Sequence, residues 1–245
     1  MSGDYFIGVN ASEVERLRTQ HDAWRPETES LWRDAGFDSL RTVLDLGCGP
    51  GFTSVDLARL VGASGEVCAV DKADAYLDYL ADKARTEGMT NVNTLHADLS
   101  RSQAISGRFD GAFCRWFLAF LRVDLDVVLR NVRESLRPGG VFAAMEYLTL
   151  RSVTCSPPSA AFDANTQAWI AFYARHGGDT SVGASLPQRL AASGFTVRSV
   201  RCVGGMADPR HRWWGWCGRL IDDFGPKFVE EGLLRKAEWD ALQRE

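Results

Sequence analysis

The chain has 245 residues, 45% hydrophobic and 24% charged, with a formal net charge of −4 at pH 7. That length suits one α/β domain with additions better than two small domains. The acidic balance and the lack of a long Lys/Arg run argue against a nucleic-acid partner. No signal-like or ~20-residue apolar stretch points to secretion or to a membrane span.

Residues 1–38 read as a helical arm. Ser12 and Glu15 form a capping box, and Val14, Leu17 and Trp24 recur near helical spacing. Pro26 suits the first turn of a second helix, running through Leu31 and Trp32 to Ala35 and closed by Gly36.

Val43 to Leu46 reads as a buried strand with Asp45 at its hinge. It enters Gly47-Cys48-Gly49-Pro50-Gly51-Phe52, and a helix-like run from Thr53 to Leu60 follows. Strand, glycine turn and helix make the first unit of a nucleotide-binding sheet, whose ligands lie beyond the carboxyl ends of the strands. A dinucleotide fingerprint has G-x-G-x-x-G; here the spacing is G-x-G-x-G, with Phe52 where the third glycine would fall. Asp45 would repel a pyrophosphate and suits a cationic amine. S-adenosylmethionine, with an ammonium, a sulfonium and no phosphate, meets both conditions, and an NAD(P) site is the disfavoured alternative.

The next strand, Glu66 to Val70, ends in Asp71 and Lys72, about 20 residues beyond the turn, where a carboxylate can accept from ribose hydroxyls. A helix from Ala73 to Glu87 stops at Gly88, and the strand Val92 to Leu95 leads to His96-Ala97-Asp98-Leu99. An acid there can accept from an exocyclic amino group. Phe109 to Cys114 is a fourth strand ending in Arg115-Trp116-Phe117. A helix from Val123 to Arg137, the turn Pro138-Gly139-Gly140 and a fifth strand from Val141 to Glu146 complete the unit.

Over roughly residues 40 to 150 this order resembles the class I SAM-dependent methyltransferases. D-L-G-C-G-P-G is the most specific element and L-R-P-G-G-V the next. The resemblance implies an α/β, Rossmann-like, mostly parallel sheet with helices on both faces. It places Gly47, Gly49 and Gly51 under the methionine moiety with Asp45 at the hinge. Asp71, beside Lys72, would take the ribose, Asp98 and Leu99 the adenine, and Cys114 and Arg115 the methionine amine through backbone carbonyls. Tyr5-Phe6-x-Gly8 with Arg16-Leu17-x-x-Gln20 resembles the start of bacterial members related to quinone-biosynthesis methyltransferases. Tyr5 and Gln20 are therefore candidates to close over the cofactor, against the plainer readings of an apolar anchor and a solvated helix residue.

Residues 151–193 form an expected substrate-cover insertion after strand five. Ser156-Pro157-Pro158-Ser159 is a loop, and the helical lid candidate runs from Ala161 to Arg175. The organisation expected is thus an arm at 1–38, a SAM-binding core at 39–150, this insertion, and a sixth strand with C-terminal helices at 194–245. A helix should open at His211 and run towards Phe224. Lys236 to Glu245 reads as a charged helix where the resembled sheet has a seventh strand, so the chain is truncated there, or the last strand is reduced or comes from another segment.

Methyl transfer asks mainly for alignment of the acceptor with the S–CH3 bond. A phenol or protonated amine would also need a base; Glu146 at the end of strand five and His176 are the catalytic candidates, with His211 and Tyr147 in reserve. Glu146 reads equally as a carboxylate holding a loop, and His176 as a helix-end residue. Trp116 and Tyr147 are candidate acceptor contacts, with ordinary core packing as the alternative for Trp116. An N-P-P-Y turn and an Asp-rich magnesium site are missing, and the six cysteines lack metal-ligand spacing. The expectation is a cytoplasmic enzyme that moves a methyl group from SAM to O, N or C of a small aromatic or apolar acceptor in secondary or quinone metabolism. It needs no metal, nucleic acid or membrane; oligomeric state stays open, a homodimer among the options. The alternatives are a SAM-binding enzyme with non-methylating chemistry and an NAD(P)-dependent oxidoreductase.

Overall fold

Alternation along two strands sets the faces of the sheet, because successive side chains of a strand point to opposite sides. In β1 (Thr42–Leu46), Val43 enters one buried cluster while Leu44 and Leu46 enter another. In β4 (Phe109–Arg115), Phe113 divides from Ala112 and Cys114 in the same way. Both strands are apolar on both sides, as a parallel sheet covered on each face requires. The computed structural model describes residues 10–100, 105–121 and 124–245.

The sheet has five strands in the order β3 (Val92–His96), β2 (Glu66–Asp71), β1, β4, β5 (Leu136–Met145), and every neighbouring pair is parallel. Helices α2 (Phe52–Val61), α3 (Asp74–Thr86) and α4 (Leu125–Ser135) link them. Leu57 and Ala58 of α2 pack on one face with Val43 and Phe113, and Val128, Leu129 and Val132 of α4 on the other with Leu44 and Ala112. The strand order reverses between β1 and β4, so the chain leaves their carboxyl ends in opposite directions and opens a crevice there.

The arm departs from expectation. One helix, α1 (Ala11–Asp34), runs through Pro26 without a break. Proline lacks the N–H of one helical hydrogen bond, but tertiary contacts hold the helix beyond it. Trp32, 2% exposed, packs edge-on to Phe113 with ring centroids 5.1 Å apart, and Thr28 accepts from Arg115. The capping box does not form either. Asn10 is the N-cap, its Oδ1 accepting from the Glu13 amide at 2.9 Å, while Ser12 accepts from Arg219 and Glu15 pairs with Arg18. The carboxyl-terminal half of α1 belongs to the core rather than to a loose cover.

Beyond β5 lie α5 (Ala160–Arg175), α6 (Val182–Ala192), α7 (Arg212–Glu230) and α8 (Lys236–Leu242). The expected sixth strand is not present among the described residues. Residues 196–206 run exposed, and Arg201 ties them to Asp34 and Ser30 of α1 instead of to the free edge of β5. α7 lies along α1: Arg212 Nε donates to the Ala23 carbonyl at 2.7 Å, Arg212 pairs with Glu27, and Trp216 Nε1 donates to Gln20 Oε1 at 3.2 Å.

Candidate active site

The turn after β1 is shaped by two steric limits and one opening. A Cβ on Gly47 would stand 2.3 Å from the Phe117 ring, and one on Gly51 2.4 Å from Leu80, so both positions exclude any side chain. Gly49, at φ 53°, has no such neighbour within 4 Å and faces open space. Its N–H donates to Asp71 Oδ2 at 2.9 Å, while Asp71 Oδ1 accepts from the Ala73 amide at 2.9 Å. Burial pushes the Asp71 carboxyl above its ordinary value, against these amide bonds.

Asp45 is fully enclosed at the end of β1. Its Oδ2 accepts from the Thr53 hydroxyl at 2.8 Å and the Ser54 hydroxyl at 2.6 Å, and burial raises its pKa to about 6. Arg115, at the end of β4, is the nearby cation that favours its ionisation. This guanidinium is itself buried, which lowers its pKa to about 10, and it donates to Thr28 Oγ1 at 3.0 Å and to His21 Nδ1 at 3.2 Å. With Nδ1 accepting, His21 carries its proton on Nε2 and donates to Asp56 Oδ2 at 3.1 Å. A polar chain thus runs from α2 through α1 to the strand ends. Past β3, Asp98 Oδ1 accepts from the Ser100 amide at 3.0 Å.

These groups meet in one cavity of about 440 Å³, within the range of small-molecule sites. Asp45, Gly47, Cys48, Gly49, Asp71, Lys72, Asp98, Leu99 and Arg115 form the strand-end part of its wall, and α1 adds Leu17 and Gln20, with Arg16 over the Phe224 ring. Trp116, Phe117, Phe120 and Tyr147 lead to a second part. There α5 supplies Phe162, Asn165, Thr166, Trp169 and Tyr173, and α7 supplies Trp216, Cys217, Leu220, Ile221 and Phe224. Trp116 has φ 49°, a conformation that non-glycine residues seldom adopt. Its ring lies near-parallel to both Tyr147 (5.6 Å, 14°) and Trp216 (5.8 Å, 5°).

Residues 43–140 match a family model described as a methyltransferase domain. This segment is a class I SAM-dependent methyltransferase domain. Demethylmenaquinone methyltransferase of Staphylococcus aureus (strain MRSA252) is 29% identical over 127 residues, which are 52% of this chain and 50% of that protein. The chain spans about half the length of the curated relatives it matches. Among solved structures, a SAM-dependent methyltransferase from Mesorhizobium loti aligns at TM-score 0.51 and 25% identity over 72% of this chain and 82% of that one. One from Aquifex aeolicus aligns at TM-score 0.54 and 19% identity, over 76% and 89%. The [4+2]-cyclase SpnF aligns at TM-score 0.56 and 18% identity, over 88% and 73%. The last two likenesses concern the fold alone, and one fold carries more than one chemistry.

The cofactor of this methyltransferase domain is S-adenosylmethionine, and the strand-end wall fits it. Three carboxylates, Asp45, Asp71 and Asp98, suit a cationic, phosphate-free nucleoside. The Gly49 amide, which could cradle a pyrophosphate, is spent on Asp71.

Of the residues singled out from sequence, Gln20, Asp45, Gly47, Gly49, Asp71, Lys72, Asp98, Leu99, Arg115, Trp116 and Tyr147 all line the cavity. Gly51 packs behind it against Leu80, and Tyr5 lies outside the described residues. The two catalytic candidates are not among the lining residues. Glu146 is half-buried, with its carboxyl turned to the chain after β4, where Oε1 accepts from the Phe117 and Leu118 amides at 2.9 and 2.7 Å. His176 ends α5, its ring against Phe172 and Nδ1 at 2.9 Å from the Phe172 carbonyl. Both make the contacts that their structural alternatives describe. On α5, the helix expected to cover the substrate, Phe162, Asn165, Thr166, Trp169 and Tyr173 line the cavity and recur at one-face helical spacing.

Proposed function

We propose that the chain transfers the methyl group of S-adenosylmethionine to a small, largely apolar acceptor held between α5 and α7. The observation that carries this reading is the continuity of the cavity, anionic at the strand ends and aromatic beyond Trp116. In this reading Asp71 accepts from the ribose hydroxyls with the lone pairs its two amide bonds leave over. Asp98 and Leu99 hold the adenine, and Lys72 flanks the ribose. Asp45 attracts the methionine ammonium beside Gly47 and Gly49, with Gly51 supporting the turn. Arg115 positions Asp45, and Gln20, bonded to Trp216, closes the arm over the cofactor.

The sulfonium is already activated: the acceptor's lone pair forms the new bond to carbon as the S–CH3 bond breaks and its electrons return to sulfur. The protein's task is to align the two and keep water out. Trp116 and Tyr147 flank the path of the acceptor. The titratable side chains beyond Trp116 are Arg16, Tyr147, Tyr173 and Cys217 among the described lining residues. Burial holds Tyr147 at about 12, so at neutral pH it donates a hydrogen bond and takes no proton. The acceptor therefore arrives in its reactive form. An aromatic ring of the kind named in the staphylococcal relative suits these walls. We place the reaction in the cytoplasm, where the six unpaired thiols stay reduced.

Incubation with methyl-labelled SAM and a panel of phenol, quinol, indole and amine acceptors tests the proposal by mass spectrometry. A gain of one methyl group on an aromatic member is expected. Tight SAM binding with no transfer to any member would leave the non-methylating alternative in its place.

A further inference from the structure

Most polar side chains on the acceptor part of the cavity wall already have protein partners. Arg16 binds Glu13 through two hydrogen bonds, of 2.7 and 2.6 Å. Thr166 spends its hydroxyl proton on the Phe162 carbonyl of its own helix, at 3.1 Å. Tyr147 and Tyr173 bond to each other. Asn165 differs. It is 3% exposed, and its side-chain oxygen is enclosed with no hydrogen-bond partner. Of the enclosed side-chain nitrogen and oxygen atoms left without a partner among the described residues, it alone belongs to a residue lining this cavity.

The Asn165 oxygen carries the desolvation cost of an unmet acceptor, which a ligand donor relieves once the side-chain amide turns towards the cavity it lines. Phe162 and Trp169 share the wall, and in so apolar a setting one hydrogen bond discriminates strongly between ligands that carry the group and ligands that lack it. We propose that Asn165 is the specificity residue of the acceptor site. It reads an O–H or N–H on an otherwise apolar aromatic molecule, at an atom separate from the one that receives the methyl group. The inference rests on the reading of this cavity as the acceptor site, but its test needs no methyl transfer.

The protein loaded with S-adenosylhomocysteine is titrated with 1-naphthol, 1-methoxynaphthalene and naphthalene, and binding is followed by tryptophan fluorescence. Wild type should bind 1-naphthol about tenfold tighter than the two probes without a donor. Asn165→Leu, which keeps the branching of the side chain, should erase that preference while leaving S-adenosylhomocysteine affinity unchanged. Asn165→Ala should do the same, and serves if the leucine variant does not fold. Equal affinity of wild type for all three probes, no binding of 1-naphthol, or a preference that survives in a folded Asn165 variant would each overturn the assignment. If the preference behaves as expected but labelled methyl never moves, the proposed activity fails and the role of Asn165 stands.

Discussion

The Glu146 carboxyl is enclosed, with Oε2 unpartnered, and burial pushes its pKa up to about 7 from an ordinary 4.5. A carboxyl that holds its proton more tightly when folded favours the folded state most below pH 4.5, and that contribution is lost as pH rises through about 7. The span corresponds to roughly 3 kcal/mol. Urea unfolding across this range should show stability falling with pH, and Glu146→Gln should flatten the fall. The same variant should keep methyl transfer within a few-fold, because an amide oxygen can still accept from Phe117 and Leu118; loss of a general base would cost about 10² to 10⁴. Asp45 behaves differently, because a bound ammonium favours its ionised form. Below about 6 the cofactor must displace a proton, so SAM affinity should weaken about tenfold per pH unit there and level off above it. Calorimetry on Asp45→Asn should show that slope gone. Asp71→Ala removes the proposed ribose acceptor and strands the Gly49 and Ala73 amides; a loss of about 10- to 100-fold in SAM affinity is expected, and an unchanged Kd would remove Asp71 from the ribose role.

At the scale of elements, the joint between α1 and the sheet carries both stability and site geometry. Trp32→Ala would empty the space beside Phe113 and should cost about 3 to 5 kcal/mol in chemical unfolding. Arg212→Ala, at the clasp between α7 and α1, should leave unfolding almost unchanged and raise the KM for SAM, because Gln20 and Trp216 lose their register. This joint has no local signal in the sequence. Glycine turns, strand-end acids and parallel strands follow local rules, so the strand-end part of the cavity was legible from Asp45 through Arg115. Pro26 gives a local signal for two helices, while the force that keeps α1 whole comes from Phe113 and Arg115, distant in sequence. Residues 196–206 carry strand-forming valines, yet strand formation needs a paired partner, and Arg201 holds the segment against α1. Glu146 likewise stands at a strand end where an acid suits catalysis, but only the path of the chain through Phe117 and Leu118 decides which way it is used.

For the molecule as a whole, strand order determines where the cavity lies, and the helices outside the 43–140 domain supply the rest of its wall. The reversal between β1 and β4 opens the crevice, and α1, α5 and α7 close it, with aromatic side chains from α5 and α7. Since the cofactor binds only the folded chain, SAM at a hundredfold excess over its Kd should add about 2.7 kcal/mol to stability, visible as a higher Tm. No helix among the described residues is long and apolar enough to cross a membrane. The chemistry open to the cavity follows from which nucleotide the anionic strand ends select. Isothermal titration of the intact chain with SAM and, separately, with NAD measures that selection directly. Saturable one-to-one binding of SAM with no heat from NAD is the expected result; binding of NAD in preference to SAM would contradict it.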